Sequence, residues 1–278
     1  MTASASLHDR VAIVTGAASG LGFATARRMV SEGAKVAIAD IDRERASAAA
    51  NDLGDAAIAL EVDVSDEQSV RRMVAAVVEQ FGQIDIVHNN AAALGLDVLG
   101  RDGDVVDMDV EVWDRTMAVN LRGAMLVTKH AIPVMLSGGR GAIVNTSSLS
   151  GLLGEENHLA YACSKAALLA FTRHVANMHG AAGIRCNAVA PGLMLTDVAI
   201  ERLSERHLKA FRSERLLDNA ARPDDVANLV VFLVSDLASC ITGQTYVIDA
   251  GTMAKRPRAA MRMWEDMLRT GEVTFDEG

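Results

Sequence analysis

Val11-Ala12-Ile13-Val14-Thr15-Gly16-Ala17-Ala18-Ser19-Gly20-Leu21-Gly22 is the stretch on which the reading of the fold turns. Its four leading apolar residues fit a strand buried on both faces, the habit of parallel sheets. The turn behind them carries glycines at 16, 20 and 22, and a helical apolar pattern then runs from Leu21 to Val30 and closes at Gly33. Strand, glycine-rich turn and helix in this order suit a pyrophosphate, because bare backbone can approach it and the helix N-terminus carries partial positive charge. Without strand and helix around it, a glycine-rich turn carries little weight, and this spacing is not Gly-x-Gly-x-x-Gly.

Outward from that turn the alternation repeats. Val36 to Asp40, Ala56 to Leu60, Ile84 to Val87, Ala142 to Asn145, Ile184 to Val189 and Thr245 to Asp249 read as further strands. Helices are expected between them: one near Asp42, one opened by a Ser65/Gln68 capping box and running to Phe81, and a long one over Val112–Leu136, irregular near Gly123 and Pro133. Pro223 opens another, through Val234. Seven strands alternating with helices predict an α/β protein with a doubly wound parallel sheet, and no composition break or repeat marks a second domain. Asp40 ends the second strand, twenty residues after Gly20. A carboxylate there accepts ribose hydroxyls and repels a 2′-phosphate, which favours NAD; capping the next helix is its plainer role.

Tyr161-Ala162-Cys163-Ser164-Lys165 carries the chemistry. On a helix, a spacing of four puts phenol and ammonium on one face. A phenol with a pKa near ~10 is a poor base at neutral pH, and a nearby cation lowers it. Many Tyr-x-x-x-Lys pairs are only a surface lysine beside a half-buried tyrosine, but here Ser148 lies thirteen residues before Tyr161, just after a strand.

Ser148, Tyr161 and Lys165 at these spacings, with Thr15-Gly16-Ala17-Ala18-Ser19-Gly20-Leu21-Gly22, resemble the short-chain dehydrogenase/reductase family from about Leu7 to Met253. The resemblance implies a seven-stranded Rossmann-type sheet and hydride transfer between a secondary alcohol and NAD. It implies a catalytic set of Asn120, Ser148, Tyr161 and Lys165, with Tyr161 as proton acceptor, Ser148 steadying the reacting oxygen, Lys165 tuning Tyr161 and holding the ribose, and Asn120 holding a water beside Lys165. Cofactor contacts carry over to Gly16, Ser19, Gly20, Leu21, Gly22, Asp40, Ile41, Asp63, Val64, Asn90, Ala91, Ala92, Tyr161, Lys165, Pro191, Gly192, Met194 and Thr196. Ala92 stands where the family usually has glycine. No Lys or Arg occupies 17–19, where NADP-preferring relatives often carry one, and Arg43 is the only cation near Asp40. A 3-oxoacyl-thioester reductase is the rival reading, and a cofactor-sensing regulator or scaffold on the same fold the non-enzymatic one.

The chain has 278 residues, 50% hydrophobic and 23% charged, with a net charge of −9. That balance argues against nucleic acid and anionic membrane as partners. Cys163, Cys186 and Cys240, scattered without Cys-x-x-Cys, read as reduced thiols of a cytoplasmic protein, and the start Met1–Arg10 lacks the apolar core of a signal peptide. Asp97, Asp102, Asp104, Asp107 and Asp109 crowd the loop between Ala93 and Glu111; their spacing misses the calcium-loop pattern, so a solvated rim and no metal is expected. Residues 193–219 resemble a substrate lid. Leu149, Leu152, Leu153, Leu193 and Met194 suit an apolar pocket for a medium-sized alcohol, with Glu155, Asn157 and His158 adding polarity. Residues 254–278 extend the catalytic domain 1–253, with Met261, Trp264 and Leu268 as a helical stripe. A homotetramer, or a dimer, is expected.

Overall fold

The computed structural model describes residues 5–194, 204–218, 221–255 and 258–270. Seven parallel strands form one sheet in the order β3-β2-β1-β4-β5-β6-β7. They are β1 Val11–Thr15, β2 Lys35–Asp40, β3 Ala57–Glu61, β4 Ile86–Asn89, β5 Gly141–Thr146, β6 Ile184–Pro191 and β7 Thr245–Ile248. The helices are α1 Gly20–Ser31, α2 Arg43–Leu53, α3 Glu67–Phe81, α4 Val110–Met117, α5 Gly123–Gly138, α6 Leu159–His179, α7 Glu205–Ser213, α8 Pro223–Val234 and α9 Arg258–Thr270.

β1 shows why apolar runs give this architecture. Successive side chains point to opposite faces, so Ala12 and Val14 join one core with residues of α1, α2 and α8. Val11 and Ile13 enter the other, with residues of α3, α5 and α6. Each such valine or isoleucine, fully buried, contributes about 1.5–3 kcal/mol. The amino ends of the central strands are tied by buried Asp85, which accepts from Val11 N at 2.8 Å and Arg140 Nε at 2.7 Å. All the strand ends that matter for a ligand lie at the opposite, carboxyl edge.

One local expectation is overturned. The cap of α3 is Asp66, whose carboxylate accepts from Gln68 N and Ser69 N. Ser65 instead donates to Asp63 Oδ1 from both its amide and its hydroxyl. The long helix expected over 112–136 is irregular near Gly123, as expected: a π-helical turn, Ala118–Arg122, joins α4 to α5 there, while Pro133 sits inside α5. Ala92 is not among the described non-glycine residues with positive φ, which are Asp9, His158 and Ala250. The family's glycine is therefore not demanded by backbone conformation here.

Candidate active site

At the carboxyl edge, β1, β2, β4, β5 and β6 open onto one cleft of about 740 Å³. At one end stands Asp40. Its Oδ2 accepts from Ala18 N at 2.9 Å and its Oδ1 from Asp42 N at 3.1 Å, so the carboxylate is fixed against the glycine-rich turn. Gly22 is needed for close approach: a Cβ there would meet Gly16 O at 2.2 Å. Gly20 has φ of 56° and nothing within 4 Å of where a Cβ would be, leaving open space over the start of α1. That helix has no acidic residue in its first turn, and its N-cap Ser19 makes no side-chain cap bond. Free amides, positive helix end and open space fit a pyrophosphate.

Asn90 fastens the turn, donating through Nδ2 to Thr15 O and Gly16 O. Thr15 Oγ1 accepts in return from Asn90 N and Ala91 N. Gly16, Ser19, Gly20, Leu21, Ile41, Asp63, Val64, Ala91, Ala92, Pro191, Gly192 and Met194 line the same cleft as Asp40 and Asn90. Gly22 lies beneath the turn and serves its packing. Thr196 lies outside the described residues. Arg45 also lines the cleft, at the Asp40 end, whereas Arg43 pairs with Glu61 at 3.9 Å. Sequence proximity pointed to Arg43; the helical turn from Asp42 carries Arg45 round to the cleft instead.

At the other end are Ser148, Tyr161 and Lys165. Lys165 is 2% exposed, its Nζ donating to Thr146 O at 2.8 Å and lying 5.5 Å from the centre of the Tyr161 ring. Burial lowers its pKa to about 8. Ser147 Oγ donates to Lys165 O at 2.8 Å and pins the same turn of α6. Tyr161 departs from the expectation of a lysine-lowered pKa. Burial raises it, the hydrogen bond with the Ser148 side chain opposes that rise, and the Glu155 carboxylate adds to it. With Lys165 itself depressed and engaged by a carbonyl, desolvation of the phenol wins.

Asn120 stands on the π-turn, 1% exposed and behind the cleft. Its Oδ1 accepts from Ala93 N at 2.8 Å and its Nδ2 donates to Ser164 Oγ at 3.0 Å. Ser164 Oγ in turn donates to Tyr161 O. π-turns recur at functional sites because they re-aim one side chain. Thr146 and Ser164 are small polar residues without a spacing of their own, and nothing in the sequence singles them out. The same holds for His88: fully buried on β4, its Nε2 lies 2.8 Å from Thr146 Oγ1. Asp102, read as rim, is 4% exposed. It accepts from Ala160 N and Tyr161 N at the start of α6.

Among the described residues no group of His, Cys, Asp and Glu could hold a metal ion, and no helix is long and apolar enough to cross a membrane.

A family model described as enoyl-(acyl carrier protein) reductase matches residues 16–253. A probable short-chain type dehydrogenase/reductase of Bradyrhizobium diazoefficiens is 42% identical over 267 residues, covering 91% of this chain and 90% of that relative. The 7alpha-hydroxysteroid dehydrogenase of Bacteroides fragilis is 36% identical, covering 90% and 96%. The cis-4-hydroxycyclohexanecarboxylate dehydrogenase of Sinomonas cyclohexanicum is also 36% identical, covering 88% and 97%. The family model's match runs from the glycine-rich turn through β7 and takes in both ends of the cleft, and the chain belongs to the short-chain dehydrogenase/reductase family, as an oxidoreductase that interconverts an alcohol and a ketone with a nicotinamide dinucleotide.

Proposed function

We propose that this protein oxidises a secondary alcohol to a ketone, or runs the reverse reaction, with NAD as its dinucleotide. The observation that carries the reading is a single cleft with Asp40 at one end and Ser148, Tyr161 and Lys165 at the other. The glycine-rich turn, Asp40, Asp63 and Lys165 would hold the dinucleotide, which supplies the hydride acceptor or donor when bound. Asp40 accepting ribose hydroxyls supports NAD over NADP.

The chain's own part is the proton. In oxidation the Tyr161 phenolate takes the hydroxyl proton, and in reduction the phenol returns it. Ser148 donates to the reacting oxygen and steadies its charge. Lys165, with a pKa near 8, is poised to pass that proton onward at neutral to mildly basic pH. Asn120 sets Tyr161 through Ser164. Oxidation needs Tyr161 deprotonated and reduction needs it protonated, so the two rates run oppositely with pH.

A carbocyclic secondary alcohol of medium size is the substrate class. Two relatives are named for such alcohols, and Leu94, Leu152, Leu153 and Leu193 stand exposed on segments that follow β4, β5 and β6 at the cleft edge. A carrier-bound thioester is the second reading, favoured by the family model's description. An acidic carrier calls for a basic rim, against a net charge of −9. The substrate lid expected over 193–219 lies partly outside the described residues, as does the extension 254–278 of domain 1–253, whose helix α9 would pack on that domain or on a neighbouring subunit, and the chain assembles as a homotetramer or a dimer. Three free thiols suit the cytoplasm.

A panel holding a 7α-hydroxysteroid, a 3β-hydroxysteroid, cis-4-hydroxycyclohexanecarboxylate and meso-2,3-butanediol, followed by NADH absorbance, tests the reading. Turnover of a carbocyclic member is expected, with Tyr161→Phe lowering kcat by several orders of magnitude while NADH still binds. No turnover across the panel, or a Tyr161→Phe enzyme within tenfold of the parent, would overturn it.

A further inference from the structure

We propose that Asp102 is a positioning residue of the reaction, clamping the first turn of α6 and coupling the acidic loop at the cleft to the placement of Tyr161. This rests on the reading of Tyr161 as the acid–base group. The residue at the capping position of α6 is His158, held at φ 63° and ψ 40° with no side-chain cap bond. A capping Ser or Asp would normally accept from the amides two and three residues on. Those amides belong to Ala160 and Tyr161, and Asp102, from 58 positions upstream of Ala160, takes both. Its Oδ1 accepts from Ala160 N at 2.9 Å and its Oδ2 from Tyr161 N at 2.8 Å. Its main-chain carbonyl accepts from His158 N at 2.9 Å. One residue therefore satisfies three amides at the helix start.

Of the five aspartates in the loop, Asp102 alone is buried, at 4% exposure. A carboxylate at that depth needs its donors, so loop and helix cannot part without stranding a charge. The same loop lines the cleft through Leu94 and Gly95. Its near end is held at Ala93 N by Asn120, and its far end by the Arg101–Asp109 ion pair. A group that displaces the loop at Leu94 thus acts on the Tyr161 amide through the clamp. The start of α6 sets how the phenol meets Ser148, and a misplacement near ~1 Å costs up to ~100-fold in rate. The charged groups facing the phenol are Lys165 one turn along α6 and Glu155 in the loop before it.

The test is steady-state oxidation of the panel's fastest alcohol across pH by Asp102→Ala and Asp102→Asn, with NADH affinity by fluorescence, Tm, and Tyr161→Phe alongside. Asp102→Ala should lower kcat by roughly 10- to 100-fold, with NADH affinity within about twofold of the parent. It should also move the oxidation profile to higher pH, since a phenol that loses Ser148 loses what holds its pKa down. Asp102→Asn, which keeps one acceptor oxygen, should fall between, and it decides the matter if the alanine variant does not fold. Variants that lose Tm but keep the parent's kcat and pH profile would reduce Asp102 to a structural cap and overturn the proposal. An active Tyr161→Phe enzyme would instead bring down the acid–base reading beneath it, whatever the Asp102 variants do.

Discussion

Asp40 shows how much one side chain decides at the cofactor end. Both its oxygens are already held by backbone amides, from Ala18 and Asp42, so the charge cannot swing away from a 2′-phosphate. An at least ~10-fold preference for NAD over NADP, equal to ~1.4 kcal/mol, is the expected outcome. Asp40→Ala should narrow that gap, with Arg45 now facing the phosphate; kcat/KM for the two cofactors checks both. His88 sets a different dependence. Burial, with the Lys165 charge adding, depresses its pKa from 6.5 to about 3. Between those values the unfolded chain binds a proton that the folded chain refuses. The stability contributed is full above pH 6.5 and drains as pH falls toward 3. His88→Val should flatten the decline of Tm from pH 6.5 to 4, and an unchanged slope would refute this. Asp40 was legible because a carboxylate at a strand end twenty residues past the turn has a mechanism attached. His88 was not, because its role depends on Thr146, 58 residues away.

Elements repeat the lesson. Apolar runs and glycines located every strand to within about two residues, since burial on both faces leaves little choice of side chain. Helix α8 was legible from its first-turn proline. Gly123 marked an irregularity, but not its form: nothing in Ala118-Val119-Asn120-Leu121-Arg122 departs from helical pattern, and the π-turn shows only where Asn120 meets Ala93 N and Ser164 Oγ. The capping of α6 was not legible either, because its acceptor comes from another loop, 58 residues before Ala160. Helix α9 does form where the stripe was expected, with Trp264 47% and Leu268 62% exposed; the Met261 side chain lies outside the described residues. An exposed apolar stripe of this kind calls for a cover. Truncation after Met253 should raise KM for an apolar alcohol more than for NAD. Unchanged constants and unchanged assembly would make α9 an appendage without influence on the site.

For the whole molecule, assembly is the open dimension. A groove of about 930 Å³ runs along α4, the π-turn, α5 and α6, lined by Met117, Leu121, Met125 and Phe171 between Glu111, Asp114, Arg115 and Arg122. Apolar floor with charges of both signs at the rim is the make-up of a self-complementary interface. Light scattering should return a tetramer, and Met125→Arg should split it into smaller species while leaving the monomer's Tm within a few degrees; a monomeric parent would refute this. The strand order carries a last consequence, for how the chain is made. β2 adds to β1, β3 adds to β2, and then β4, β5, β6 and β7 each join the open side in the order of synthesis. No strand has to wedge between two that are already paired. A chain emerging from the ribosome can therefore lay down its sheet as it lengthens, with β1, β2 and β3 all translated by residue 61 while α6 and its tyrosine have yet to be made.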